Sequence, residues 1–174
     1  MNKELKQSLL GFTSVSLMGT IWHFVYEWSG QYTPVGLICP VNESPWEHLK
    51  LLWFPYLLWC LLTFKKEKII PVAWARHGIS ALTGTLVLTV SFYTYSGILG
   101  KNLMAADILC FIISVASTFL TEHLLRKNNR LQAKSAQTAG ILLILAISAL
   151  FGLFTFYPPR IPWFLDSQNG IYGI

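Results

Sequence analysis

The sequence predicts an all-α membrane protein: a helical bundle of about five transmembrane spans, N-terminus inside and C-terminus outside. Three observations carry this expectation. Hydrophobic residues make up 53% of the 174-residue chain and charged residues only 12%. The mean hydropathy of +0.50 is well above what a soluble domain of this size needs. Several apolar runs approach the ~20 residues that cross a hydrocarbon core about 30 Å thick. The basic residues cluster at the ends of these runs, as orientation signals do.

The first span covers about 8–28, "SLLGFTSVSLMGTIWHFVYEW". Lys3 and Lys6 before it resemble the flank of a signal peptide, but the run is too long and ends in bulky residues with no small-residue cleavage site, so it reads as retained. Residues 29–44 carry Gly30, Pro34, Gly36 and Pro40; these preclude a regular helix and suggest a cover over the outer mouth. The second span, 45–64, opens on a capping box. Ser44 is its N-cap, Pro45 occupies the first helical position, and Glu47 is placed to reach back to the cap. Pro55 should kink it. The third, fourth and fifth spans cover about 72–97, 103–125 and 136–157. Pro158 and Pro159 end the last helix, and 158–174 is too short and too proline-rich to span; its aromatics suit an interfacial segment over the outer face. With no internal repeat, residues 1–174 read as a single transmembrane domain.

Orientation follows the Lys/Arg bias. Lys3, Lys6, the "KKEK" run at 65–68, Arg76, Arg126, Lys127, Arg130 and Lys134 fall on one side, and only Lys101 and Arg160 on the other, with Lys50 at the mouth of the second span. Although the net charge is +5, these bases form no continuous face that could track phosphates, so nucleic acid is not an expected partner. The three cysteines, Cys39, Cys60 and Cys110, are odd in number and form no C-x-x-C pair, which predicts neither a disulfide framework nor a zinc motif. Glu122 and Arg126 read as an ordinary surface pair on the inner side, and Arg76 with His77 as headgroup contacts.

The acids and histidines are unevenly placed. Glu27, Glu43, Glu47, Asp107, Asp166, His23 and His48 all fall on or near the outer side. With Lys50 they form the candidate polar pocket. His23 and Glu27, four apart, share a helical face. They suit two ligands of one cation, a carboxylate that orients a histidine, or a hydrogen-bonded pair that fixes packing. Glu47 reads as a cap before a ligand. Lys50 could snorkel outward or pair with Glu47 or Asp107. Asp107 lies about one turn inside its span, where an unpaired carboxylate costs ~2.5–3.5 kcal/mol, so it needs a partner, water or an ion. Cys110 shares its face and reads as an inert buried thiol. Arg160 and Asp166 reach the cluster if the terminal segment folds over it. The predicted metal ligands are His23, Glu27, His48 and Asp107.

The segments "HFVYEWSG", "PVNESPWEHLK", "YTYSG" and the terminal run from "PP" through "FLD" to "GIYG" resemble a family of bacterial integral membrane proteins known only as a domain of unknown function. The likeness spans nearly the whole chain. It implies a multi-pass protein of the bacterial cytoplasmic membrane with about five spans, and transfers no catalytic role to any residue.

Three functions fit these observations. The first is an outward-facing His/Glu/Asp pocket that binds a cation, with imidazole and carboxylate ligands suited to zinc, manganese or iron. Such a site would support metal-dependent hydrolysis of a lipid-linked or small substrate. The second is transport of a small solute or of protons, against which stand the lack of matching inner acids and of an inverted repeat; a homo-oligomer could supply what one chain lacks. The third is an accessory or assembly protein whose polar groups form a structural network. H-E-x-x-H, G-x-S-x-G and Gly-rich phosphate loops are all absent from the sequence.

Overall fold

The computed structural model describes residues 3–63 and 73–174. The "KKEK" run, Glu67 and the predicted start of the third span at Val72 lie outside the described residues. Among the described residues, four helices are long and apolar enough to cross a membrane: α1 (Lys3–Trp28), α5 (Trp74–Leu99), α6 (Met104–Leu125) and α7 (Lys134–Phe156). Their outward faces are apolar. Leu17, Val90, Leu120 and Leu145 are each between 59% and 64% exposed, a distribution that fits lipid rather than water around the bundle.

Between these helices the chain forms shorter elements: α2 (Thr33–Gly36), α3 (Pro45–His48) and α4 (Lys50–Thr63). The sequence predicts one continuous span over 45–64; the structure breaks it at Leu49. The Leu49 amide bonds the Trp46 carbonyl at 3.1 Å and the Leu52 amide bonds the Leu49 carbonyl at 3.2 Å, i→i+3 bonds that tighten the helix locally. Within the described residues α4 covers 14 residues, or ~21 Å of rise. It is the most enclosed helix, and Leu52, Trp53 and Tyr56 are completely buried. The loop over 29–44 also departs from expectation, because Pro34 at the start of α2 supports one helical turn there.

Pro55 has a packing consequence. It lacks the N–H that would bond the Leu51 carbonyl, and that carbonyl faces Gly19 of α1, where a Cβ would lie 2.5 Å from the oxygen. Glycine there lets the two helices cross closely. α5 ends at Gly100, whose left-handed φ of 65° and amide bond to the Ser96 carbonyl (2.8 Å) close the helix. A short turn leads into α6, which packs more extensively against α5 than any other pair of helices in the bundle.

The C-terminal segment does not span. After α7 it makes a 3₁₀ turn (Pro162–Phe164) and a small antiparallel hairpin of β1 (Leu165–Asp166) and β2 (Ile171–Tyr172). The hairpin is fastened to the bundle: the Ile174 amide bonds the Thr155 carbonyl at 3.1 Å, and the Asn42 side chain bonds the Gly173 carbonyl at 3.0 Å. Trp46 sits beneath it in an aromatic cluster with Phe151, Phe154, Trp163 and Phe164.

The other end of the bundle holds a second polar cluster. Glu122, Arg76 and His77, read from sequence as surface and headgroup residues, are buried. The Tyr56 hydroxyl donates to Glu122 Oε2 (3.0 Å) and lies 3.2 Å from His77 Nδ1. Arg76 and Arg126 approach Glu122 Oε1 at 3.8 and 3.5 Å. A carboxylate so enclosed requires such partners: Tyr56 comes from α4, Arg76 from α5, and Arg126 from just past the end of α6.

Candidate metal centre

His23 lies on α1 just over one turn before its end, Glu43 precedes the N-cap of α3, and His48 is the last residue of α3. The chain between them is folded by local bonds that the sequence encodes. The Ser44 amide donates to Asn42 Oδ1 (2.9 Å), and the Ser44 hydroxyl accepts from the Glu47 amide (3.3 Å). These turn the backbone so that Glu43 projects between the two histidines. His23 Nε2 lies 3.5 Å from Glu43 Oε1, and His48 Nε2 lies 3.4 Å from Glu43 Oε2. The two rings are 5.4 Å apart and inclined by 30°. One ligand atom from each residue falls within 4.8 Å of the others.

The orientation of His48 is informative. Its Nδ1 lies 3.0 Å from the Ser44 carbonyl oxygen. A carbonyl only accepts, so Nδ1 carries the proton. Nε2 then faces the Glu43 carboxylate, to which it donates when the ring is protonated and toward which it presents a lone pair when the ring is neutral. The Ser44 carbonyl fixes the orientation of the ring in either state. His23 Nδ1 is buried with no hydrogen-bond partner. Interaction with His48 holds the Glu43 carboxyl below its usual range, against the opposing effect of burial.

The other predicted pocket residues divide into separate groups. Glu27 is exposed; it borders a surface recess with His23, Glu43 and Asp166 and is not among the three clustered ligands. Asp107 accepts a hydrogen bond from the Tyr95 hydroxyl and is also outside the cluster. Antiparallel helices joined by a short turn put Tyr95 and Asp107 at one level, a relation that the spacing within "YTYSGILGKNLMAAD" could have revealed.

Glu47 and Lys50 form a buried network behind the site. Lys50 does not snorkel and does not meet Asp107. Its Nζ donates to Glu47 Oε2 (2.7 Å), the Gly36 carbonyl (2.7 Å), Thr155 Oγ1 (2.6 Å) and the Cys39 carbonyl (3.4 Å). The capping box is half made. Ser44 caps the helix, but Glu47 turns away from the cap amide to accept from the Val41 amide at 3.0 Å and to pair with Lys50. The charge pair outcompetes the reciprocal cap because Lys50 is fully buried and needs a carboxylate more than the Ser44 amide does. Thr155, on a distant helix, carried no signal in the sequence.

Asp166 reaches the site from the C-terminal hairpin. Its carboxylate accepts from the Gln168 amide (2.8 Å), the Asn169 amide (3.2 Å) and the Asn169 side chain (2.9 Å), and from the Glu43 backbone amide. Burial opposes ionisation, yet these donors together hold the Asp166 carboxyl below its usual value. Arg160 borders a separate recess with residues 170–174 rather than the histidines. Cys39, Cys60 and Cys110 are all buried thiols; burial pushes the Cys39 thiol up to about 11, against the attraction of Lys50.

Four apolar helices of membrane-spanning length, with two histidines and a carboxylate gathered at one end of the bundle, define the class: a helical protein fitted to a lipid bilayer. Within that class the chain belongs to DUF6512, a family of unknown function, matched over residues 1–174. No curated protein and no solved structure matches the chain.

Proposed function

We propose that this membrane protein binds a divalent transition-metal ion through His23, Glu43 and His48 on the outward side of the membrane. The observation that carries the reading is the spacing of the Nε2 atoms from the Glu43 oxygens, 3.4 and 3.5 Å. These separations are long for hydrogen bonds and close to the roughly 3.4 Å between ligand atoms of a tetrahedral ion bound at about 2.1 Å, and one ligand atom from each of the three residues lies within 4.8 Å of the others. Imidazole and carboxylate together suit zinc, manganese or iron. Glu43 replaces Glu27 and Asp107 in the ligand set expected from sequence, because the turn at Asn42–Ser44 carries it between the rings.

Three protein ligands leave a coordination position open, the pattern of catalytic rather than structural sites. The reaction class this supports is hydrolysis, with the ion lowering the pKa of a bound water. The basic loops favour an inward N-terminus, which turns the site outward.

Elemental analysis of the detergent-purified protein tests the reading. The wild type should carry about one equivalent of a transition metal. His23→Ala/His48→Ala and Glu43→Gln variants should lose it, and Asp107→Ala should retain it. A wild type that takes up neither zinc, manganese nor iron when each is supplied would refute the metal centre, leaving His48 as an imidazolium paired with Glu43.

A further inference from the structure

A cavity of about 320 Å³ adjoins the candidate metal centre, bounded by α4, α5, α6 and the C-terminal segment. Its wall is mixed. Glu43, His48 and Asp107 bring charge to it, Leu51, Leu88 and Phe111 are part of a mostly apolar remainder, and Thr89, Ser96 and Asn102 interrupt that surface with polar groups. Along α5 the lining runs from Leu88 to Ser96, ~12 Å of helical rise. The volume lies within the range of sites that enclose small organic ligands.

We propose that this cavity holds the hydrocarbon chain of a single-chain amphiphile whose carbonyl or oxyanion head lies at the Glu43–His48 edge. The inference rests on the metal-centre reading and supplies its substrate class. Two neutral imidazoles and one carboxylate leave a bound divalent ion with net positive charge, which attracts an oxygen anion or polarises a carbonyl. Asp107, held by the Tyr95 hydroxyl, keeps its negative charge, which favours a carbonyl head or a head drawn to the ion's side of the cavity. Thr89, Ser96 and Asn102 could meet a few polar atoms, but most of the lining is apolar, and a small polar solute or a bare inorganic ion would leave Leu51, Leu88 and Phe111 uncovered. An alkyl chain covers it, and the surrounding bilayer supplies amphiphiles at high local concentration.

The test uses the protein in nanodiscs with a diazirine-bearing medium-chain fatty acid as photoaffinity probe, and metal content measured on the same samples. Saturable labelling at Leu51, Leu88 or Phe111 is expected. Leu88→Trp fills the apolar part and Ser96→Trp narrows the rim; each should weaken labelling about tenfold by excluding part of the chain. Retained metal in these variants shows that the fold survives. Labelling confined to lipid-exposed faces, or unchanged in both variants, overturns the proposal while leaving the metal centre intact. Saturable cavity labelling in a protein that binds no metal keeps the chain site and overturns the metal reading instead. If both Trp variants lose metal, the wild-type labelling map alone decides between cavity and lipid-facing positions.

Discussion

Replacing Lys50 by Met removes an ammonium while keeping most of the side-chain volume, and it should be one of the most destabilising single changes in the protein. Lys50 is completely buried and Glu47 is 2% exposed. The ammonium makes contacts of 2.6–2.7 Å with Thr155, the Gly36 carbonyl and Glu47. Methionine would leave the Glu47 carboxylate with only the Val41 amide and the Thr155 hydroxyl, and would leave the Gly36 carbonyl without its donor. Breaking one half of a buried pair in this way costs about 3–5 kcal/mol. Glu47→Gln/Lys50→Met removes the uncompensated charge and should recover much of that loss, so the cycle should give a strongly non-additive coupling. Equilibrium unfolding of the four proteins in mixed micelles, followed by tryptophan fluorescence, measures it. A Lys50→Met variant within about 1 kcal/mol of wild type, or strictly additive single changes, would show that the pair is not the fastening inferred from its geometry.

Gly19→Ala should destabilise by about 1–3 kcal/mol, because its Cβ would lie 2.5 Å from both the Leu51 carbonyl oxygen and the Phe111 ring; Gly97→Ala, with open space around the added methyl, should be neutral or mildly stabilising in the same unfolding assay. Tyr56→Phe removes the hydroxyl donated to Glu122, and loss of that buried donor should cost about 1–3 kcal/mol by thermal unfolding. Asp166 has a lowered folded-state pKa, so its contribution is complete above the ordinary Asp value of about 4 and is lost as pH falls through the lowered value. Protease sensitivity of the C-terminal hairpin should therefore rise in acid in the wild type, whereas Asp166→Asn should be more sensitive at neutral pH and show no such step.

The membrane class was legible because it depends on quantities that sequence states directly: run length, apolar content and the placement of bases. Local chemistry was legible for the same reason. Ser44 followed by Pro45 specifies a helix start without knowledge of the rest of the chain, and the prolines of 158–162 forbid a sixth span. Which polar groups meet was not legible. His23 and Glu27 share a helical face, so spacing alone pairs them, but α1 presents His23 to the bundle and leaves Glu27 exposed. Glu43 enters the site only because the Asn42–Ser44 turn and the Asp166 hairpin orient it, and the hairpin lies more than a hundred residues away. Lys50 was ambiguous for a related reason. Its choice between Glu47 and Asp107 depends on the break at Leu49 and on Thr155 and Gly36, which approach from two other elements. Glu122 was misread because its i,i+4 spacing to Arg126 is the same on a solvated helix face and on a buried one; burial comes from the neighbours.

The placement of the two polar clusters bears on the competing functions. A pathway across the bundle would need wet or proton-conducting groups between the Lys50–Glu47 network and the Tyr56–Glu122 network. Between them stand Leu52, Trp53 and Val115, all at 0% exposure. The hydroxyls of Ser114 and Thr118 donate to the carbonyls of Cys110 and Ser114 in their own helix, at 2.6 and 2.9 Å. A purely structural network, in turn, accounts for Lys50, Glu47 and Thr155, whose donors and acceptors satisfy one another. It does not account for His23, Glu43 and His48. Their separations exceed good hydrogen bonds, and one ring nitrogen has no partner. Glu43 and His48 also stand at the edge of a cavity that no side chain fills. Groups that satisfy one another hold a fold together, whereas groups arranged around a space await something to fill it. By that criterion the lysine belongs to stability, and the proposed metal centre is where the histidine pair would find its role.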